Sequence, residues 1–185
     1  MHRELQPAVF LDRDGVLNRA LLRDGVSSPP RDLSEFELLP GVSEATRRLS
    51  RAGFALVVVT NQPDVARGTQ TRARVEQMND ILRAQLPILD VLTCYHDDDA
   101  ECPCRKPRPG MLHEAARRWR LDLPRSFMVG DRYSDVLAGQ AAGCRTVLID
   151  QPYSRRDRCN PDACAPDLAG AADWILTFSD GGTQR

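Results

Sequence analysis

The sequence predicts an α/β domain: a doubly wound parallel sheet with helices on both faces. One observation behind this is the alternation of short apolar runs with amphipathic stretches in a β-α-β-α order. Another is that the intervening helical patterns are of about 10–15 residues, the length that carries a chain from one parallel strand to the next. A third is size, because 185 residues make one compact unit with a substantial core, so residues 1–185 read as a single domain. No internal repeat or low-complexity tract interrupts it.

Taken in order, the first strand is expected at Ala8–Asp12, an apolar run that ends in acid. Arg19 to Pro40 follows as an ordered or semi-ordered loop containing Gly25, Ser27, Ser28, Pro29 and Pro30. A helix over Val42–Ala52 is closed by Gly53, which suits the left-handed residue after a helix. Strand Ala55–Asn61 leads to helix Thr71–Gln85, and strand Val91–His96 leads into a Cys- and Pro-rich loop, Asp97 to Arg108. Pro109 fits the first turn of a helix running to Trp119. Strand Ser126–Asp131, helix Ser134–Ala142 with its closing Gly143, and strand Thr146–Asp150 complete the sheet. Gln151 to Pro166 reads as irregular, before a last helix over Leu168–Leu176. The two long loops both leave carboxyl ends of strands and should overhang one rim, where open α/β sheets bind ligands.

Composition excludes several classes of function. Lys and Arg total 25 against 26 Asp and Glu, so no global charge draws the chain to nucleic acid or to an acidic membrane. No apolar window is long enough to span a bilayer, and the N-terminus lacks the apolar segment of a secretory signal. Six cysteines without such a signal fit a reducing cytoplasm. Lys106 is the only lysine, set in the Cys-rich loop, which marks it for a specific task.

Four segments carry chemistry. Asp12-Arg13-Asp14-Gly15 places two carboxylates at a strand end, where period two puts them on one side. Like charges so close call for a shared proton or a hard cation such as Mg2+, although an acidic turn with solvated charges is the plain alternative. Thr60-Asn61-Gln62 ends a strand with a hydroxyl and fresh N–H groups that could cradle a phosphate, or Thr60 could be a helix cap. Gly130-Asp131 through Asp135 forms a second acidic cluster beside Arg132. In a doubly wound sheet its strand lies next to the first, so Asp131 could complete a metal site or could cap a helix. For Asp135 a cap or orienting role and a ligand role stand side by side.

Cys94-Tyr95-His96 and Cys102-Pro103-Cys104 supply three thiolates and an imidazole, the donor set of a closed tetrahedral Zn2+ site, against a reading as unrelated thiols. Four protein ligands leave no open position, which favours a structural role. Such a loop would hold Arg105-Lys106-Pro107 at a set place on the rim; a solvated basic pair is the alternative. Cys144 reads as a small buried hydrophobe, and Cys159 and Cys164 as loop thiols for which a disulfide is disfavoured in the cytosol.

With these segments in order, the chain resembles the haloacid dehalogenase-like phosphohydrolases from about Val9 to Asp150. Within them it is similar to the D-glycero-D-manno-heptose 1,7-bisphosphate 7-phosphatases and the related histidinol-phosphate phosphatases. Asn18 and Glu35-Phe36-Glu37-Leu38-Leu39-Pro40-Gly41 look more like the heptose branch. The resemblance implies a fold without a separate cap domain and a nucleophile at Asp12, with Asp14 as acid and base. It also implies phosphoryl contacts from Thr60 and Lys106, and Mg2+ on Asp12, the Asp14 carbonyl and Asp131. It carries a structural Zn2+ on Cys94, His96, Cys102 and Cys104, and offers Asn61, Gln62, Arg105 and Arg132 for the substrate, the last two for a second phosphate. The expected partner is a small phosphorylated sugar and the expected state a monomer. A polynucleotide 3′-phosphatase, a phospho-receiver and a non-catalytic zinc module are the rivals. The chain departs from the family at Pro63-Asp64, Arg132, the length of the Arg19–Pro40 loop and the Gln151–Pro166 stretch.

Overall fold

The computed structural model describes residues 4–23 and 26–178; Gly25, expected in the first long loop, lies outside them. Among the described residues, eight strands and five α-helices follow in chain order: β1 (Ala8–Leu11), β2 (Leu21–Arg23), β3 (Val26–Ser28), α1 (Val42–Arg51), β4 (Ala55–Asn61), α2 (Arg72–Gln85) and β5 (Asp90–Cys94). Then come α3 (Gly110–Trp119), β6 (Phe127–Gly130), α4 (Tyr133–Ala141), β7 (Arg145–Ile149), β8 (Ala163–Ala165) and α5 (Leu168–Leu176). Six strands form one sheet in the order β5-β4-β1-β6-β7-β8, all parallel.

Alternation along each strand divides the core between two faces. Val9 and Leu11 of β1, with Leu56 and Val58 of β4, pack against Leu49 of α1 and Ile175 of α5. Ala8 and Phe10, with Val57 and Val59, face the other way toward Leu112 of α3 and Ala138 of α4. The chain therefore winds outward from β1 in both directions. Its reversal lies at β1, flanked by β4 and β6 with Phe10 opposite both Val57 and Met128.

Local signals explain the helix ends. Thr71 caps α2 by accepting from Arg74 N–H at 3.3 Å, and Asp167 caps α5 by accepting from Gly170 N–H at 2.9 Å. The expected Gly53 and Gly143 stand in the left-handed region at φ 91° and 82°.

Two expectations are corrected. The Arg19–Pro40 loop holds an antiparallel hairpin, β2 paired with β3. The Gln151–Pro166 stretch contains β8, a sixth sheet strand beside β7. Each strand has three residues, too few to show a period. Their pairing depends on partners elsewhere: the Asp162 carboxylate, just before β8, accepts from Thr146 N–H at 2.7 Å.

Candidate active site

The carboxyl ends of β1, β4 and β6 converge, and they bring together residues more than a hundred positions apart. Asp12 follows β1 directly, its N–H donating to the Val129 carbonyl of β6 at 2.9 Å. Oxygens of Asp12, Asp131 and Asp135 lie within 4.8 Å of one another. The Lys106 ammonium closes this group, 2.7 Å from Asp12 Oδ1, 2.7 Å from Asp135 Oδ1 and 2.7 Å from the Val59 carbonyl. All four side chains are buried.

Crowding and burial set the protonation tendencies. Burial pushes Asp12 upward, Lys106 pulls it back, and Asp135 raises it again, leaving a pKa of about 6. For Lys106, burial opposes the charge, but Asp12 and Asp135 more than offset it, so its pKa lies above the ordinary value. Asp131 is driven well above the carboxylate range, first by burial and then by Asp12 and Asp135.

Hydrogen-bond accounting separates the three carboxylates. Asp135 is committed: Oδ1 meets Lys106, and Oδ2 accepts from Arg132 N–H at 3.0 Å, capping α4. Asp131 is 0% exposed, and neither oxygen makes a well-formed hydrogen bond, with the Tyr153 hydroxyl a neutral neighbour beside it. A buried carboxylate with open lone pairs is what a hard cation would satisfy, so this group fits Mg2+. Gly15 admits the approach, because a Cβ there would overlap Asp131 Oδ2.

The carboxylate of Asp14 is not in this cluster. The local reading of two neighbouring acids sharing one cation through their side chains is therefore corrected: tertiary contacts turn Asp14 aside. Asn18 Nδ2 donates to its Oδ1 at 2.9 Å and Gln62 Nε2 to its Oδ2 at 2.7 Å, while Arg13 Nη2 lies 3.0 Å from Oδ2. Gln62 is 1% exposed, and its amide also donates to Thr60 Oγ1 at 2.9 Å. Asn61 pairs with the main chain of Lys106, donating to its carbonyl at 3.1 Å and accepting from its N–H at 3.2 Å. The amides of both residues, expected against the substrate, are thus engaged with the protein itself. Thr60 and Asn61 still face the cleft.

The Cys-rich loop forms the second cluster. Cys94 Sγ lies 3.7 Å from Cys102 Sγ and 3.2 Å from Cys104 Sγ, and His96 Nδ1 is 3.6 and 3.3 Å from Cys94 and Cys104. These are not disulfide lengths; all six cysteines are free. Zn–S bonds of about 2.3 Å in a tetrahedron set sulfurs about 3.8 Å apart, so the donors fit Zn2+. The cluster sits where β5 ends, next to β4, and the Asn61 bridge ties its far side to the site.

A cleft of ≈ 500 Å³ opens over the carboxylates, lined by Asp12, Asp14, Lys106, the zinc-type loop and the β2–β3 hairpin. Arg105 and Arg132 both line it. Arg105 pairs with Asp98 and donates to the His96 carbonyl at 3.1 Å, and Arg132 donates to the Ser27 carbonyl at 2.8 Å. Sequence reasoning missed three residues here. Arg67 on the cleft wall binds Asp97 and Asp98 and links the β4 loop to the Cys-rich loop. Tyr153, from the stretch with no assigned role, brings its hydroxyl to 3.0 Å from where a Gly15 Cβ would be. Burial and the Asp131 charge push that phenol's pKa upward. Arg13 is wholly buried; a charged residue inside an apolar strand end was the available signal.

A family model described as HAD-hydrolase-like matches residues 103–171, which include Lys106 and Asp131. The D-glycero-beta-D-manno-heptose-1,7-bisphosphate 7-phosphatase of Escherichia coli (strain K12) is 36% identical over 182 residues, covering 92% of this chain and 88% of its own. The chain belongs to the haloacid dehalogenase-like phosphatases. The phosphatase is also 34% identical to D-glycero-D-manno-heptose-1,7-bisphosphate 7-phosphatase from Thermosynechococcus vestitus, over 93% of this chain and 96% of that protein. The structure of D,D-heptose 1,7-bisphosphate phosphatase from B. bronchiseptica, complexed with magnesium and phosphate, matches it with a TM-score of 0.81 and 32% identity. That match covers 93% of the phosphatase and 99% of the other chain. Fold and relatives agree on a hydrolase of phosphate esters.

Proposed function

We propose that this phosphatase removes the 7-phosphate of D-glycero-D-manno-heptose 1,7-bisphosphate through an aspartyl-phosphate intermediate. Asp12 attacks phosphorus in line, forming the acyl phosphate as the bond to the sugar oxygen breaks. Asp14 gives that oxygen its proton and then takes one from the water that hydrolyses the intermediate. Lys106 and Thr60 hold phosphoryl oxygens as charge builds on them. Asp12, Asp131 and the main-chain carbonyl of Asp14 would hold Mg2+, whose charge would offset the repulsion of the phosphate by the carboxylates. Asp135 keeps Lys106 in place and caps α4. Zn2+ on Cys94, His96, Cys102 and Cys104 would be structural, steadying the loop that carries Lys106. Arg105 and Arg132, on the cleft wall, take the second phosphate.

The observation that carries this reading is the juxtaposition of Asp12, the Lys106 ammonium at 2.7 Å and the unpartnered Asp131 at the sheet's reversal point. The similarity to heptose bisphosphate phosphatases supports the choice of sugar. The free cysteines support a reducing cytoplasm, and the formal charge of −1 supports a small-molecule substrate over nucleic acid. The reading is of a single-domain monomer. Phosphate release from heptose bisphosphate and histidinol phosphate, measured side by side with Mg2+, tests it. The first substrate should be hydrolysed far faster, and Asp12→Asn should abolish turnover. Preference for histidinol phosphate would overturn the substrate assignment; a fully active Asp12→Asn enzyme would overturn the mechanism.

A further inference from the structure

We propose that Arg13 is a positioning residue for proton transfer: its planar guanidinium sets the Asp14 carboxylate at the angle from which it reaches the leaving oxygen. This rests on the proposed acid and base role of Asp14.

Arg13 is the residue between the two acids, and its side chain is 0% exposed against 15% for Asp14. A buried guanidinium needs a charged, hydrogen-bonded partner, or its desolvation is uncompensated. Among the described residues, the ion pair recorded for Arg13 is with Asp14, the next residue along the chain. The pair itself joins adjacent residues, and the long-range bond of the guanidinium, from Nη1 to Asn79 on α2, leaves its other two nitrogens to the carboxylate. What it does constrain is the orientation of one carboxylate.

The geometry is that of a fork. Arg13 Nε lies 3.3 Å from both Asp14 oxygens, and Nη2 lies 3.1 and 3.0 Å from Oδ1 and Oδ2. The third nitrogen is anchored from behind: Nη1 donates to Asn79 Oδ1 at 3.2 Å. Asn79 is buried on α2, and its Nδ2 lies 3.2 Å from Thr93 Oγ1 on β5. Asn18 and Gln62 hold the carboxylate from other sides, so three side chains supply its donors. Asp14 nonetheless lines the cleft. The chain thus connects α2 and β5, through Asn79 and the Arg13 plane, to a cleft-lining carboxylate near Asp12 in the chain that does not join the Asp12–Asp131–Asp135 cluster. Lysine at position 13 could keep the charge but not the fork.

Leaving-group dependence tests this, with kcat/KM measured on two substrates. The sugar oxygen of heptose bisphosphate leaves only with a proton; the phenolate of p-nitrophenyl phosphate leaves without one. Arg13→Lys should lower kcat/KM for the sugar phosphate by about 10²-fold, the lower end of what positioned proton transfer contributes. It should leave kcat/KM for p-nitrophenyl phosphate within about twofold, since that constant reports the steps up to leaving-group departure, where p-nitrophenolate needs no proton, and not the later hydrolysis that both substrates share. Asn79→Ala, which loosens the plane without removing it, should show the same selectivity at smaller size, and it serves if Arg13→Lys fails to fold. Asp14→Asn is the reference. If Asp14→Asn is selective but Arg13→Lys and Asn79→Ala impair both substrates equally, or neither, Arg13 is merely structural and the proposal is overturned alone. If Asp14→Asn lacks the selectivity, the role of Asp14 itself falls and takes the proposal with it.

Discussion

Asp131→Asn should stabilise the metal-free protein while abolishing its response to Mg2+. Asp131 is 0% exposed, and neither carboxylate oxygen makes a well-formed hydrogen bond, although the Tyr153 hydroxyl lies beside it. It faces Asp12 and Asp135, both of which raise its pKa further after burial has done so. Leaving a buried group of this kind unsatisfied costs about 1–3 kcal/mol, more when charged. Asparagine has nearly the same shape, carries no charge and brings an N–H pair that can donate to the neighbouring carboxylates. The expected gain without metal is therefore about 1–3 kcal/mol, which at about 3 °C per kcal/mol for a chain of this size is a rise of several degrees in Tm. With Mg2+ the order reverses. A ligand at one thousand times its Kd stabilises a folded protein by about 4.1 kcal/mol, more than the variant's gain, and the variant should lose that increment together with turnover. Thermal melts of both proteins, in chelator and in a Mg2+ series, decide the matter. A variant that melts lower without metal, or still gains stability from Mg2+, refutes the view of Asp131 as an unsatisfied ligand.

The remaining predictions use the same site. The folded-state pKa of Asp12 is about 6 against 3.8 for the unstructured residue, so the folded protein binds the extra proton between those values. Stability of the metal-free protein should then fall, not rise, from about pH 4 to 6, by roughly 3 kcal/mol from Asp12. Urea midpoints in chelator, compared with Asp12→Asn, should show this slope, and a difference of opposite sign would refute it. Gly15 and Gly53 share φ 91°, but a Cβ at 15 overlaps Asp131 Oδ2 whereas at 53 nothing lies within 4 Å. Gly53→Ala should therefore cost only the left-handed backbone term of about 1–2 kcal/mol, and Gly15→Ala clearly more, with loss of Mg2+ stabilisation; equal costs would show that the close approach is unimportant. Cys102→Ser should lower bound zinc, read by elemental analysis, and reduce phosphate release by loosening Lys106. Full activity in zinc-depleted Cys102→Ser would separate the loop from catalysis.

Legibility in the sequence followed the range of the forces involved. The five principal strands and the helices were readable because burial on a pleat or a helix face repeats locally, as Val9 and Leu11 against Ala8 and Phe10 show. β8 and the β2–β3 hairpin were not, because three-residue strands carry no period and depend on a partner such as Thr146. The Cys94–Cys104 donor set was legible since its members lie close in the chain. The meeting of Lys106 with Asp12 and Asp135 was legible only as a resemblance.

By itself the sequence determined which chemistry is present: paired acids at a strand end, a lone lysine and a thiolate–imidazole set, all properties of residue type and spacing. Only the tertiary structure decided how the acids divide. Four carboxylates compete for few donors, so Asp12 and Asp135 share Lys106, Asp14 goes to Arg13, Asn18 and Gln62, and Asp131 is left open. The long-range partners, Gln62 for Asp14 and Lys106 for Asp12 and Asp135, complete that division from other strands and loops, which no local pattern encodes.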